Sequence, residues 1–450
     1  MTALVVHPAS QGLRGSVPVP SDKSIGHRAL LLAALATGSS RIQGFSRGED
    51  NVSTMNALRA MGVDIVEVSK TELRVQGATL RGLRAPAGPL DCGNSGTTMR
   101  LLAGLLAAQR FSSTLVGDAS LSQRPMMRVI APLRSRGATL DGAPHATRPA
   151  ELTAPLQIGP LRAAARLSSL EYESAVASAQ VKSALLLSGL DADGPTYFKE
   201  PMVSRDHTER MLRAQGAPLD TIASCVVLDP ARWNGVLAPV DLEIPGDLSA
   251  AAFVLVAAQI VAGSQVTVRG VGINPTRTGL LEIARDMGAG LVVEPSEERG
   301  GEPVGAIHAA YTPLVATRTG GERVARAIDD ICVACALAAR AAGTTRIEGA
   351  AELRVKESDR IAMMVRTLRA FGVTAEELPD GMIIEGTSAP LRACRVDSGG
   401  DHRVAMTAAV LALVADGPCT IDDVDCIATS FPRFVGTLRA LGTRVDVEQG

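Results

Sequence analysis

Lysine is almost missing from this chain: five stand against forty arginines. A background so biased has replaced lysine wherever a permanent charge or a solvated stem is enough. The survivors are therefore candidates for work that needs an ammonium able to lose its proton. Lys356 sits in Arg354-Val355-Lys356-Glu357-Ser358-Asp359-Arg360, and Lys23 and Lys182 lie among polar residues that open apolar helical runs, whereas Lys70 and Lys199 do not. Aromatic residues are also scarce, at 2% of 450 residues, which excludes a stacking platform for single-stranded nucleic acid. A net charge of -2 argues against a protein that coats nucleic acid. The six histidines are scattered with no pair at ligand spacing, so neither a metal site nor a cofactor is expected. A GxxxxGK[ST] phosphate loop is absent. No apolar stretch reaches the ~18 uncharged residues of a membrane span, and Met1 to Val6 carry no basic region leading into a long apolar run. The expectation is a soluble, cytoplasmic protein with no membrane or nucleic-acid partner. Seven cysteines are an odd number, and Cys332-Val333-Ala334-Cys335 falls inside the apolar run Ile331 to Leu337, which reads as two buried helical thiols rather than a redox or zinc motif.

What is present is repetition. Val19-Pro20-Ser21-Asp22-Lys23-Ser24 leads into the apolar run from Arg28, then Gly38 and a strand-like Ser40 to Gly44. Ile244-Pro245-Gly246-Asp247-Leu248-Ser249 leads into Ala250 to Ala258, then Gly263 and Gln265 to Gly270. Shorter echoes follow Asn94-Ser95-Gly96-Thr97, Ser178-Ala179-Gln180, Ile328-Asp329-Asp330 and Asp401-His402-Arg403. Periodicity on this scale predicts six repeated βα units. Second amphipathic helices are expected at Val52 to Met61, Thr208 to Gln215 and Thr278 to Met287, each closed by a glycine, with short alternating strands such as Val63 to Val68 after them. The fold class is α/β: two similar domains, each of three repeated units with helices packed on sheets. Residues 1–21 plus 241–450 would form one and 22–240 the other, with two crossovers and a short N-terminal strand completing the C-terminal half.

Each repeated helix opens on polar or charged residues. Helix N-termini carry unpaired amides and the positive end of the dipole, so several converging on a cleft would bind anions. Lys23, Arg28, Arg100, Arg124, Lys182, Lys356, Arg360 and Arg403 add side-chain charge there. Two acids, Asp329 and Glu357, stand beside this set. A carboxylate among cations stays ionised and accepts a proton, while an ammonium with a lowered pKa donates one. The residue types point to proton transfer on a polyanionic substrate.

The motifs Ser21-Asp22-Lys23-Ser24 with Arg28, Gly93-Asn94-Ser95-Gly96-Thr97 with Arg100, Arg124-Pro125, Ser178-Ala179-Gln180, Arg354 to Arg360 and Asp401-His402-Arg403 occur in one order along the chain. In this they closely resemble the 5-enolpyruvylshikimate-3-phosphate (EPSP) synthase family. The resemblance implies the enolpyruvyl transferase inside-out barrel, with the active site in the cleft between its domains. The implied activity is that of a 3-phosphoshikimate 1-carboxyvinyltransferase of the shikimate pathway, which leads to chorismate and aromatic amino acids. It moves the enolpyruvyl group of phosphoenolpyruvate to the 5-hydroxyl of shikimate 3-phosphate and releases phosphate. Lys23, Asp329 and Glu357 are the implied catalytic residues: Asp329 accepts the 5-hydroxyl proton, and Glu357 and Lys23 share protonation and deprotonation at the enol carbon. Lys23, Ser24, Arg28, Ser178, Ala179, Gln180, Asp329 and Lys356 would hold shikimate 3-phosphate. Lys23, Gly96, Arg124, Gln180, Arg360 and Arg403 would hold phosphoenolpyruvate. The resemblance further implies a monomer and a target of the herbicide glyphosate, with glycine at position 96 implying sensitivity.

Two segments depart from the commoner family pattern. Ile427 to Pro432 carries Ser430 where many relatives have a lysine on phosphoenolpyruvate, and Ser204-Arg205-Asp206-His207-Thr208 lacks a tyrosine found near shikimate, so that Arg205 is expected to supply that contact. The sister transferase acting on UDP-N-acetylglucosamine is disfavoured, because Lys23 is followed by Ser24 rather than asparagine and the Arg124-Pro125 region has no reactive cysteine. A non-catalytic anion-binding scaffold of the same fold is disfavoured by intact Lys23, Asp329, Glu357 and Arg403.

Overall fold

The structure, a computed structural model, describes residues 2–449. The chain divides into two compact units, one of Met1–Pro20, Pro245–Glu298 and Pro303–Gly450, the other of Ser21–Ile244 with Arg299–Glu302. The expected boundaries are 21/22 and 240/241, against 20/21 and 244/245 here, and Arg299–Glu302 joins the Ser21–Ile244 unit.

The Ser21–Ile244 unit is built on three central helices, Lys23–Leu35, Gly96–Ala107 and Ala179–Gly189, and the other unit on Leu248–Ile260, Ile331–Arg340 and His402–Ala412. These helices are apolar on every face, which only a buried helix can be. All residues from Ile25 to Leu35 are buried, as are all from Leu248 to Ile260. Gly96–Ala107 packs against Ala179–Gly189 so closely that a Cβ on Gly104 would lie 2.1 Å from the Ala184 carbonyl oxygen, leaving room only for glycine. Outer helices cover the central ones: Glu49–Ala60, Met127–Ser135 and His207–Ala214 in one unit, Gly279–Asp286, Arg360–Ala370 and Phe434–Ala440 in the other.

Six four-stranded sheets, three per unit, share one topology. In the first, Asp241–Glu243 runs parallel to Ser39–Gln43, which pairs antiparallel with Glu72–Gln76, which in turn pairs antiparallel with Asp64–Glu67. Each sheet puts one face on the helices: Ile42, Leu73, Val75 and Ile65 are buried, whereas Arg41 is exposed and paired with Glu72 at 2.7 Å. Val66, inside the expected alternating run, is half exposed at 50%, because the strand alternates about Ile65.

Two N-terminal strands, not one, join the C-terminal unit. Thr2–Val6 lies between Cys419–Asp422 and Val445–Gln449, and Arg14–Val17 runs parallel to Gln265–Gly272. The second strand was not legible because only Val17 of its four residues is buried. No helix among the described residues is long and apolar enough to cross a membrane. Cys332 and Cys335 lie fully buried in Ile331–Arg340, as read from the apolar run.

His27, on the first central helix, is fully buried with Nδ1 2.7 Å from Thr54 Oγ1. Burial pushes its imidazole down to about 3, opposed by Asp50 and aided by Lys23 and Arg28. Between the ordinary value of 6.5 and about 3 the unfolded chain therefore binds a proton that the folded chain does not. The contribution is present above pH 6.5 and is lost as pH falls toward 3. Comparing urea denaturation at about pH 7.5 and about pH 5, the wild type is expected to lose about 2 kcal/mol through this group. His27→Gln should lose correspondingly less over the same interval.

Candidate active site

Polar residues at the starts of the central helices first serve the helices themselves. Asp22 accepts from Ile25 N at 2.9 Å, Ser95 from Thr98 N at 3.1 Å, Ser178 from Val181 N at 3.4 Å, Asp247 from Ser249 N at 2.8 Å and Asp401 from Arg403 N at 2.9 Å. The helix at Ile331 differs: Asp330 precedes it without capping it, and its Oδ1 instead accepts from Arg403 Nη1 at 3.3 Å. Burial raises the Asp330 carboxyl, opposed by Arg403 and Arg277.

In the Ser21–Ile244 unit, Lys23 Nζ lies 2.8 Å from Asp50 Oδ2, the lysine partly exposed and the carboxylate buried. Arg28 is buried and fastened by Nε to Thr208 Oγ1 (2.7 Å), Nη2 to Ser183 Oγ (2.8 Å) and Nη1 to the Ser24 carbonyl (3.0 Å). Burial lowers its guanidinium to about 10, with Glu209 opposing and Arg205 adding to the drop. Arg205 thus acts on Arg28 through its field. Arg100 Nη1 donates to Gln180 Oε1 at 2.7 Å, and Gln180 Nε2 donates to Thr97 Oγ1 at 2.9 Å, tying the Gly96 turn to the Ala179–Gly189 helix. Arg124 Nη2 donates to Asn94 Oδ1. Gly96 itself is buried, and a Cβ there would stand 2.7 Å from Arg100 Nη1 and 3.4 Å from Arg124 Nη1.

In the other unit five candidates from three segments meet. Lys356 Nζ stands 3.5 Å from Asp329 Oδ1 and 2.9 Å from Glu352 Oε1. Arg360 reaches Glu357 Oε2 at 2.7 Å, Asp401 Oδ2 at 2.8 Å and Asp329 Oδ1 at 3.7 Å. Arg403 Nη1 donates to the Asp329 carbonyl at 2.5 Å. Arg360 and Asp401 are both almost wholly buried, so each is the other's main compensation. Burial opposes both charged forms, yet Asp401 holds Arg360 well above its ordinary range and Arg360 holds Asp401 below its own. Ser430 follows the short Asp425–Thr429 helix, which packs on the helix carrying Arg403.

Two expectations need correcting. Lys182 does not join a ligand-facing basic set: its side chain is 1% exposed, 2.8 Å from both Glu200 and Glu209, and donates to the Ser204 carbonyl at 3.3 Å. Burial depresses this ammonium, but Glu209 and Glu200 outweigh burial and keep the group cationic. Its task is to hold the segment before Arg205, since Glu200 also accepts from Ser204 N at 2.8 Å. Nor is the ammonium beside Glu357 depressed: burial lowers Lys356, but Asp329 and Glu352 raise it further. In this arrangement Lys356 is a fixed cation rather than a proton donor.

A family profile described as EPSP synthase (3-phosphoshikimate 1-carboxyvinyltransferase) matches residues 8–438. The chain belongs to the EPSP synthase family. It is 48% identical over 445 residues to the 3-phosphoshikimate 1-carboxyvinyltransferase of Geobacter sulfurreducens, covering 99% of this chain and 100% of that one. It is 49% identical over 448 residues to the Acidithiobacillus ferrooxidans protein of the same name, covering 99% of each. The solved EPSP synthase of Acinetobacter baumannii superimposes with a TM-score of 0.87 at 40% identity over the whole of both chains. The enolpyruvyl transferase NikO of Streptomyces tendae, at 17% identity, covers 100% of this chain and 99% of its own with a TM-score of 0.77, a likeness of fold. No group of metal-ligating side chains stands together among the described residues.

Several residues of this EPSP synthase family member were missed in the sequence. Asp50 sits 27 positions from Lys23 and carries no motif. Glu352 carries no motif either, and Asn94 and Asp401 stand out only as members of motifs; an acid next to Arg403 is a candidate ion-pair partner on sequence grounds. Replacing Lys182 with methionine, similar in volume, leaves Glu200 and Glu209 buried without a cation. Lys182→Met is expected to cost about 3–5 kcal/mol in denaturant unfolding.

Proposed function

We propose that this chain transfers the enolpyruvyl group of phosphoenolpyruvate to the 5-hydroxyl of shikimate 3-phosphate, releasing phosphate. The single observation that carries the assignment of roles is the Asp329 carboxylate held near Lys356 and Arg360, among Glu357, Arg403 and Asp401. Both substrates bear phosphate and carboxylate and repel one another, so fixed cations must hold them in contact before any bond forms. Arg124, Arg360 and Arg403, with Gly96 and Gln180, serve phosphoenolpyruvate. Ser24, Arg28, Ser178, Ala179, Gln180, Arg205 and Lys356 serve shikimate 3-phosphate, and Lys23 serves both.

The reaction is an addition followed by an elimination. Asp329, beside Lys356 and Arg360, takes the proton of the 5-hydroxyl as its oxygen attacks the substituted enol carbon. The terminal methylene gains a proton, and loss of a proton from the resulting methyl group expels phosphate. Lys23 and Glu357 carry these two transfers at carbon. Lys23 fits because Asp50 orients its ammonium from 2.8 Å. Glu357 fits because Arg360 fixes its carboxylate from 2.7 Å. The enzyme works as a cytoplasmic monomer with no metal or cofactor.

Phosphate release with both substrates present tests the activity. Lys23→Arg preserves charge but cannot exchange a proton near neutral pH. It should keep its denaturation midpoint and lose turnover by at least about 100-fold; near-normal turnover would contradict the proton-transfer role. Gly96→Ala places a methyl group against the Arg100 and Arg124 guanidiniums. Glyphosate is longer than phosphoenolpyruvate, so the variant should lose inhibitor binding by about 1–3 kcal/mol more than substrate binding. Equal losses in the two constants would show that the methyl group does not discriminate.

A further inference from the structure

Among the seven cysteines, two stand side by side at the ends of paired strands. Strand Arg395–Asp397 runs parallel to strand Cys419–Asp422, with Arg395 opposite Thr420. One step earlier Cys394 and Cys419 therefore stand opposite one another, and Thr420 N donates to the Cys394 carbonyl at 3.0 Å. Neighbouring strands lie about 4.8 Å apart, inside the Cα separation a disulfide spans, and register partners present their side chains to the same face. The two side chains are close enough to perturb one another's protonation, and Cys419 Sγ donates to the Gly417 carbonyl at 3.6 Å. Cys419 is fully buried and Cys394 partly exposed, packed on the edge of the apolar core. A cavity of about 420 Å³ is lined by Leu391, Arg392 and Asp416, which precede the two cysteines along the chain, though neither cysteine lines it. We propose that Cys394 and Cys419 form an oxidisable dithiol site that closes to a disulfide, with hydrogen peroxide as the oxidant.

The pair divides its protons unequally. The neighbouring Cys394 side chain brings the Cys419 thiol down to about 7 against its burial, while Cys419 and burial push Cys394 up. By contrast, burial raises Cys92, Cys332 and Cys426 to about 12 and Cys335 higher still. Cys419 is thus the thiolate of the pair near neutral pH, and the thiolate is the nucleophile. Its sulfur attacks one oxygen of peroxide, breaking the O–O bond; the departing hydroxide takes a proton and leaves as water, and Cys419 becomes a sulfenic acid. Cys394 sulfur then attacks the Cys419 sulfur, the S–O bond breaks, and the hydroxyl leaves with the Cys394 proton as a second water. Two thiols and one peroxide give one disulfide and two waters.

The site lies at the opposite end of these strands from the functional residues. Both strands run from the cysteines toward Asp397 and Asp422, and the turn to Asp401 and Arg403 follows Asp397. The closed loop would contain strand Arg395–Asp397, the Asp401 turn and helix His402–Ala412. Closing it restrains the unfolded chain without moving the turn, so oxidation should stabilise this unit and spare activity.

The test treats the full chain with hydrogen peroxide, alkylates free thiols after denaturation and maps peptides by mass spectrometry. The expected product is a cross-linked Cys394–Cys419 peptide pair lighter by two hydrogens, reverting with a dithiol reductant. The oxidised protein should melt about 5 °C higher than the reduced one. In Cys394→Ser, where the resolving thiol is gone, a sulfenic-acid trap should label Cys419. The proposal is overturned if both cysteines remain alkylatable after peroxide has oxidised others, or if either proceeds to sulfinic acid in the wild type without forming the cross-link.

Discussion

A helix buried on every side can carry polar chemistry only at its ends, and this constraint organises the whole molecule. The six central helices are buried along nearly all their length, and apart from Arg340 their charged residues stand in the first two turns. There the unpaired amides need acceptors, and Asp22, Ser95, Ser178, Asp247 and Asp401 supply them. The same turns hold Lys23, Gly96, Gln180 and Arg403. In four of the six repeats, capping and the proposed substrate binding thus draw on one short stretch.

Charge at these ends has to be balanced inside protein rather than in water. Arg360 and Asp401 compensate one another almost out of solvent, and Lys182 is held between two glutamates. Buried pairs of this kind seldom add net stability over apolar packing, but losing one partner is costly, so they fix geometry. Asp401 shows the economy of the arrangement. One carboxylate caps the His402–Ala412 helix, anchors Arg360 and accepts from Ser358 at 2.9 Å. Lys182 and Glu200 do similar work for the loop that presents Arg205.

The lysine argument separates into two outcomes. Lys23 and Lys356 are partly exposed beside Asp50 and Asp329, where a substrate group could meet them. Lys182 has the same local sequence setting, a polar residue opening an apolar helix, yet points into a sealed acidic pair. Local sequence could not tell these cases apart, because Glu200 and Glu209 lie on a strand end and an outer helix well removed along the chain. The apolar Cys332–Cys335 run was readable for the opposite reason: burial of a helix apolar on all faces follows from its composition. Cys394 and Cys419 carry no motif and meet only because two strands pair in one register.

The sequence alone determined the repeat, the six apolar helices opened by polar residues, the outer helices and the family, since each depends on residues close together in the chain or on motifs kept in order. Tertiary structure decided the partners: Asp50 for Lys23, Glu352 and Asp329 for Lys356, Asp401 for Arg360, and two glutamates for Lys182. It also decided that two N-terminal strands, one of them with a single buried residue, complete sheets of the C-terminal unit. The physical reason is the range of the forces involved. Helix periodicity and capping act over a few residues, whereas ion pairing and strand pairing act between segments that only the folded chain brings within a few ångströms.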